Sequence, residues 1–338
     1  MIGKQIWDIT DTELQLSKLT DKIDKSKNIA IFWHDNADGD CVWSMLGFGK
    51  ILENIGKMVS YHTSFDVPNS FDRVKWINKI STEFDFKSKD MIVLVDCNNF
   101  GRISKFYHMK PDYFDTTNNI VIIDHHLYDK TVWNINLIDT TSSSCCELIR
   151  EISKYIFEDK LIDKDIANYL CLGTLTDTGT FKHEKDTIRT FENVIEMVKK
   201  WADKRYLVNN LDKISYKEAV YMWEFLSRYK MRWDIWYTYY TEQDLKDYGI
   251  ESWKTWQSII KRIDDVPISI VFGCKNNKYW WSMRTKSDDI NLSDIASELW
   301  WWGHQKAAWF EMDINGDFQD WIEKTVDDIN NMIDMYKL

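Results

Sequence analysis

The sequence predicts an α/β protein, in which a parallel, doubly wound domain is joined by a helical connector to a smaller α+β domain. Four short apolar runs, Ile29–Trp33, Met58–His62, Met91–Asp96 and Ile120–Asp124, are each followed by polar or turn residues and read as buried strands. Val42 to Ile55, between the first two, places apolar residues at helical spacing, and residues 71–86 fit a further helical connection. Strands alternating with helices predict a parallel sheet. At 338 residues the chain is long enough for two domains with separate cores.

Further along, Ser144-Cys145-Cys146-Glu147 is a capping box opening a helix through Ile149 and Ile152, and a second helix is expected over Asp163 to Leu175. From Thr187 to Tyr229 the chain is charged, helical in pattern and free of Pro and Gly, which suits a connector. Strand-like stretches then appear at Trp233–Thr241, Val266–Cys274 and Lys278–Thr285, with helices at Ser293–Leu299 and Phe318–Tyr336. The expected division is 1–190, a connector over 191–231, and 232–338.

Composition narrows the function. Hydrophobic residues make up 44% and charged residues 29%, as in a soluble globular protein. Met1 to Asp24 is polar and acidic, without the apolar core of a signal peptide, and no apolar run could cross a bilayer. Cys41, Cys97, Cys145, Cys146, Cys171 and Cys274 show no C-x-x-C spacing and read as reduced thiols of a cytoplasmic protein. A net charge of −11 argues against a broad footprint on duplex DNA, though not against a small anionic substrate.

The chemistry gathers at strand ends. His34-Asp35-Asn36-Ala37-Asp38-Gly39-Asp40 follows the first strand, and Gly39 is expected to let the chain turn so that Asp38 and Asp40 converge. Val93-Leu94-Val95-Asp96 ends on an aspartate, and Val121-Ile122-Ile123-Asp124-His125-His126 ends on an aspartate and two histidines. Asp177 lies in a turn after a helix. A single aspartate at a strand end is most often a helix N-cap. Parallel strands, however, bring their carboxyl ends to one edge, so these groups would meet in one crevice. Carboxylates with a few imidazoles favour Mn²⁺ or Mg²⁺ over structural zinc. A carboxylate bridging two such ions is the arrangement that activates water for phosphoryl hydrolysis.

These motifs, in this order, resemble those of the DHH phosphoesterase family, named for the Asp124-His125-His126 triplet. The segment from Gly173 to Gly179 around Asp177 also matches. The second half looks like the associated DHHA1 domain, with Ser282-Met283-Arg284 and Gly303-His304-Gln305-Lys306-Ala307-Ala308 where that domain has its substrate-binding motifs. A stand-alone chain of this size is most similar to the nanoRNase/oligoribonuclease and pAp-phosphatase branch. The resemblance implies that His34 and Asp38 bind one Mn²⁺, that Asp40, His125 and Asp177 bind a second, and that Asp96 bridges them. Asp124 would orient the first histidine, His126 would stabilise charge or protonate the leaving group, and water activated between the ions would attack phosphorus in line. Arg284 and His304, beside Gly303, would hold a terminal phosphate. Short RNA, dinucleotides and pAp are the implied substrates, and a homodimer is plausible on the same resemblance.

Departures from the family pattern are selective. Ala37 and Cys41 replace proline and alanine and remove no ligand. Trp43, Trp300, Trp301, Trp302 and Trp309 stand where the family has glycine, whose lack of a Cβ lets backbone N–H groups approach phosphate. Trp33 and Trp133 also sit where a small residue would be ordinary. The 18 tryptophans accompany only 12 glycines, about half the usual glycine share of ~7%. The simplest explanation is that many of these tryptophans are glycines in the living cell, because some bacteria read UGA as glycine. The alternative is a divergent protein whose indoles pack as core or stack on bases.

The resulting expectation is a Mn²⁺-dependent phosphoesterase acting on short oligoribonucleotides or dinucleotides, and on pAp. Competing readings are a cyclic-dinucleotide phosphodiesterase and a non-catalytic nucleotide-binding protein with a tryptophan-plugged pocket. His62, His108 and His183 read as packing or surface histidines, and the charge runs at 21–27 and 244–247 as solvated faces.

Overall fold

The computed structural model describes residues 9–35, 37–67, 71, 74–87, 89–116, 119–126, 134–182, 187–211, 216–248, 263, 266–275, 278–298, 302–313 and 316–336. The chain divides into two compact units, Met1–Lys213 and Ile214–Leu338.

The first unit is built on a parallel six-stranded sheet: β1 (Asn28–Phe32), β2 (Met58–His62), β3 (Ile80–Ser81), β4 (Met91–Val95), β5 (Ile120–Asp124) and β6 (Ile135–Ile138). The strand order is β3-β2-β1-β4-β5-β6. Its helices are α1 (Ile9–Lys25), α2 (Gly39–Asn54), α3 (Ser104–Met109), α4 (Pro111–Asp115), α5 (Cys145–Ile156), α6 (Lys164–Asp177), α7 (Ile188–Lys200) and α8 (Lys204–Asn210). The doubly wound prediction therefore holds, and its cause is visible along each strand. Ile29, Ile31 and Trp33 enter one core with Val42, Leu46 and Leu170, while Ala30 and Phe32 enter another with Phe84, Phe106 and Phe114. Successive side chains point to opposite faces, so a strand apolar at every position demands cover on both.

α2 and α6 pack closely because small residues face the contact. A Cβ on Gly39 would overlap the Thr176 side chain, and one on Gly47 would meet Leu170 Cδ2 at 2.9 Å. Gly39 is thus required for helix approach, not for the sharp turn expected of it: Asp38 caps α2 and Gly39 is already helical. The helical connection expected over 71–86 is a second correction. The described residues form a 3₁₀ turn at Ile77–Lys79 and the edge strand β3, with Ile80 pairing opposite Tyr61. Pairing with the sheet outweighs helical spacing here.

The second unit is a mixed six-stranded sheet with helices: α9 (Tyr216–Ser227), β7 (Lys230–Arg232), β8 (Ile235–Tyr240), α10 (Glu242–Tyr248), β9 (Ile268–Lys275), β10 (Lys278–Thr285), α11 (Leu292–Glu298), β11 (Trp302–His304), β12 (Ala307–Asp313) and α12 (Phe318–Tyr336). Its order is β11-β12-β10-β9-β8-β7. Ile322, Val326, Ile329 and Ile333, recurring at helical spacing, seat α12 on Ile268, Ile270 and Phe272. Of the expected connector, α7 and α8 fall within the first unit and α9 within the second.

The tryptophans divide by environment. Trp33 is buried with its indole N–H donating to Thr63 Oγ1 at 2.8 Å, and Trp43 is buried and stacked on Tyr169. Trp302 pairs with Trp309 between β11 and β12, whereas Trp133, Trp300 and Trp301 lie outside the described residues. Trp76 and Trp233 are different, with φ of 69° and 54°. Trp233 opens the two-residue hairpin loop closed by the Arg232–Ile235 pair, where glycine is the default residue. A bulky side chain in the left-handed region costs about 1–2 kcal/mol. Trp233→Gly is therefore expected to be about 1 kcal/mol more stable than Trp233→Ala in denaturant unfolding, since both lose the indole and only glycine relieves the backbone. Equal stability of the two variants would contradict this.

Candidate metal centre

In the order β3-β2-β1-β4-β5-β6, connections leave β1 and β4 in opposite directions, and the crevice beyond their carboxyl ends is the ligand position of such sheets. His34 follows β1, Asp96 follows β4, and Asp124 ends β5 with His125 and His126 after it. Helix starts and ends complete the set. Asp38 caps α2, Asp40 lies in its first turn, and Asp177 is the last residue of α6.

These residues converge. Their ligand atoms form three groups, each within 4.8 Å: His34, Asp38 and Cys41; Asp40, His125 and Asp177; Asp96, Asp124, His125 and His126. His125 Nε2 faces Asp40, Asp96 and Asp177 at 3.8, 3.4 and 3.5 Å. His34 Nε2 faces Asp96 at 3.3 Å and Asp38 at 3.8 Å. Asp96 thus stands between the two imidazoles. Its backbone is left-handed at φ 54°, which an aspartate tolerates, and its N–H donates to Ile123 O at 3.0 Å.

Burial and neighbouring charge set the electrostatics. Burial, followed by the charges of Asp96 and Asp177, pushes Asp40 well above the ordinary carboxylate range. Burial raises Asp177 as well, against the opposing charge of His125. Asp96 goes the other way: burial opposes its charge, but His125 and His34 outweigh it and hold the carboxyl well below its ordinary value. Burial likewise opposes the His125 cation, yet Asp96 and Asp40 push its pKa up to about 10. Asp96 Oδ1 and His125 Nε2 are both buried without a hydrogen-bond partner among the described residues. Buried atoms of this kind carry a desolvation cost unless something bonds them. Oxygen donors with two imidazoles around that gap fit a pair of hard divalent cations.

The surrounding bonds prepare the donors. Asp40 accepts the N–H groups of Cys145 at 2.6 Å and Cys146 at 3.0 Å, at the N-terminus of α5, where an anion is favoured. The sequence signal for this was the Ser144 cap, whose side chain accepts Glu147 N–H at 2.9 Å. A Cβ on Gly173 would overlap Cys146 Sγ and come within 2.8 Å of Asp40 Oδ1, so glycine makes room for the carboxylate. After Asp177 the chain takes three successive left-handed residues, Gly179, Thr180 and Phe181, with φ of 57°, 61° and 61°. Strain at non-glycine positions persists only where surrounding structure enforces it.

Asp124 departs from its expected role. Its Oδ1 accepts Nδ1–H of the second histidine, His126, at 2.8 Å, together with the backbone N–H of His125 at 2.8 Å. The first histidine is oriented by a residue the sequence did not single out: Ser142 O lies 3.2 Å from His125 Nδ1. A carbonyl accepts only, so Nδ1 carries a proton, and Nε2 is the ring atom that would turn a lone pair toward a bound cation. On the second unit, Arg284 lies on β10, and Gly303 and His304 lie on β11 opposite Ala308 and Ala307. Arg284 donates to Ser282 Oγ at 3.0 Å and Met283 O at 2.8 Å, and among the described residues it meets no carboxylate. His62 is buried, with Nδ1 at 2.8 Å from Glu83 O, and His183 lies outside the described residues.

A raised His125 pKa stabilises the metal-free fold fully below the unfolded value near 6.5, and that stability is lost as pH rises toward about 10. The metal-free protein is therefore expected to lose stability between pH 7 and 8.5, with a flatter profile for His125→Gln, measured by denaturant unfolding in chelator. A wild-type profile as flat as the variant's would contradict the assignment.

Residues 28–174 match the family model described as DHH family, N-terminal domain. A probable bifunctional oligoribonuclease and PAP phosphatase NrnA of Streptococcus mutans is 25% identical over 204 residues, 59% of this chain and 61% of that protein. The chain thus aligns with about three fifths of that relative's length. An uncharacterized protein of Mycoplasma genitalium is 22% identical over 317 residues, 91% of this chain and 94% of its own. Among solved structures, an exopolyphosphatase-related protein from Bacteroides fragilis covers 100% of both chains with a TM-score of 0.81 at 20% identity, a likeness of fold. The likeness to the DHH family is carried by residues 28–174, which hold the convergent carboxylates and imidazoles of the first three motifs.

Proposed function

We propose that the protein is a metal-dependent phosphoesterase that hydrolyses short oligoribonucleotides or dinucleotides to mononucleotides, and pAp to AMP. One observation carries the reading: His125 Nε2, buried and without a hydrogen bond among the described residues, faces three carboxylates within 3.8 Å. In this reading His34 and Asp38 would hold one divalent ion, Asp40, His125 and Asp177 would hold the second, and Asp96 would serve both. Mn²⁺ is the expected ion, with Mg²⁺ as the alternative. When bound, such a pair supplies water of lowered pKa and neutralises charge on a phosphoryl group.

The chain's own groups do the rest. His126 is half-exposed, and its hydrogen bond to Asp124, helped by the charges of Asp124 and Asp96, raises its pKa against the opposing effect of burial. With Nδ1 committed to Asp124, Nε2 is the atom left to bond a phosphate oxygen or give a proton to the leaving group. Arg284 has the features of an anion site, being half-buried with no carboxylate partner among the described residues, and burial alone lowers its pKa. A terminal phosphate would supply the bidentate partner a guanidinium favours. His304 and the backbone at Gly303 would share that phosphate. The Streptococcus mutans relative, named for oligoribonuclease and PAP phosphatase activity, supports this substrate class.

The test is turnover of a 5′-phosphorylated ribodinucleotide and of pAp with Mn²⁺. Asp96→Asn should abolish turnover, and His126→Ala should lower kcat by about 10²–10⁴-fold while Mn²⁺ still binds. Arg284→Ala should raise KM for the phosphorylated dinucleotide at least tenfold and leave an unphosphorylated one unchanged. Turnover in Asp96→Asn equal to wild type would sink the metal mechanism, and an unchanged KM in Arg284→Ala would remove the phosphate anchor. Hydrolysis of cyclic dinucleotides alone would move the protein to a different substrate class.

A further inference from the structure

Between β6 and α5, the segment from Asp139 to Ser144 serves the cluster without lending it a ligand. Ser142 O accepts His125 Nδ1–H at 3.2 Å, and the helix that starts after Ser144 presents two N–H groups to Asp40. Two buried carboxylates pin the segment. Asp139 Oδ1 accepts Thr141 N–H at 3.0 Å and its hydroxyl at 2.6 Å. Glu147 Oε2 accepts Ser143 N–H at 3.3 Å and also the Ser143 hydroxyl.

Both carboxylates then meet one cation from another element. Arg189, in the first turn of α7, donates NH1 to Asp139 Oδ2 at 2.9 Å and Nε to Glu147 Oε1 at 2.5 Å. The carboxylate side chains are 1% and 0% exposed, and the arginine 20%. Next to it, Thr190 Oγ1 donates to Glu147 Oε2 at 2.7 Å.

We infer that Arg189 is a positioning residue for the second-ion ligands Asp40 and His125, acting through the segment it clamps. Removing one partner of a buried ion pair leaves the other uncompensated. Here two carboxylates would lose their cation at once, and they hold the backbone that carries the Ser142 carbonyl and leads into α5. A shift of that backbone turns His125 and withdraws N–H groups from Asp40. His34 and Asp38 have no hydrogen bond to the segment among the described residues, so the loss falls on one ion only. Partners that orient metal ligands typically change affinity 10–100-fold when removed.

This inference rests on the two-ion reading above, and its test keeps the two apart. Metal-stripped full-length protein would be titrated with Mn²⁺ and followed by electron paramagnetic resonance, in wild type, Arg189→Gln and Arg189→Lys. Wild type should take up two ions with a spin-coupled spectrum. Arg189→Gln should keep the first ion at wild-type affinity and bind the second about 10–100-fold more weakly, leaving the six-line signal of isolated Mn²⁺. Arg189→Lys, which restores the charge without the fork, should fall between and carries the test if Gln fails to fold. Wild-type binding of both ions by the variants would overturn the inference, as would equal weakening of both. A wild type that binds fewer than two ions would instead overturn the reading beneath it.

Discussion

Asp96 between two imidazoles is the contact on which the rest of the first unit depends. Five carboxylates, Asp38, Asp40, Asp96, Asp124 and Asp177, are brought to one crevice and repel one another, and desolvation penalises the charges of the buried ones. Without cations the centre survives by sharing protons: Asp40 and Asp177 are pushed toward neutrality while His125 is pushed toward charge. Asp96 is held charged by His125 and His34. Such a cluster is costly as a structural element, and most reasonable as a site completed by positive charge.

The fold supplies the convergence cheaply. Strands apolar on both faces force a covered parallel sheet, and a parallel sheet places all its carboxyl ends on one edge. Two helix termini are then aimed at the same edge. The N-terminus of α5 steadies Asp40, and the C-terminus of α6 delivers Asp177 just ahead of a turn of three left-handed residues. Gly39 and Gly173 allow α2, α5 and α6 to approach closely enough for this to work.

Most of this was legible in the sequence. The strands β1, β2, β4 and β5 announce themselves as apolar runs, and β10 and α12 fall on the residues expected of them. What escaped is backbone chemistry. A carbonyl such as Ser142 O, or the N–H pair of Cys145 and Cys146, leaves no residue-type signature, because any side chain can accompany it. The role of Asp124 was misread for a related reason: spacing shows that it is close to both histidines but not which ring it bonds. The stretch 71–86 misled because helical spacing of apolar residues cannot reveal that an edge strand awaits beside Tyr61. Trp76 and Trp233 were visible only in the backbone, through left-handed φ angles at residues that strongly resist them. They extend to turn geometry the pattern noted at the phosphate motifs, where indole stands in place of glycine.

The central claim is that the cluster beyond β1 and β4 holds two divalent ions sharing Asp96. The most direct measurement is a crystal structure of the protein grown with Mn²⁺, with anomalous differences collected at the manganese edge. The account predicts two peaks about 3.5–4 Å apart, one beside His34 and Asp38 and the other beside Asp40, His125 and Asp177. A single peak, or none at this cluster with Mn²⁺ in excess, would contradict it.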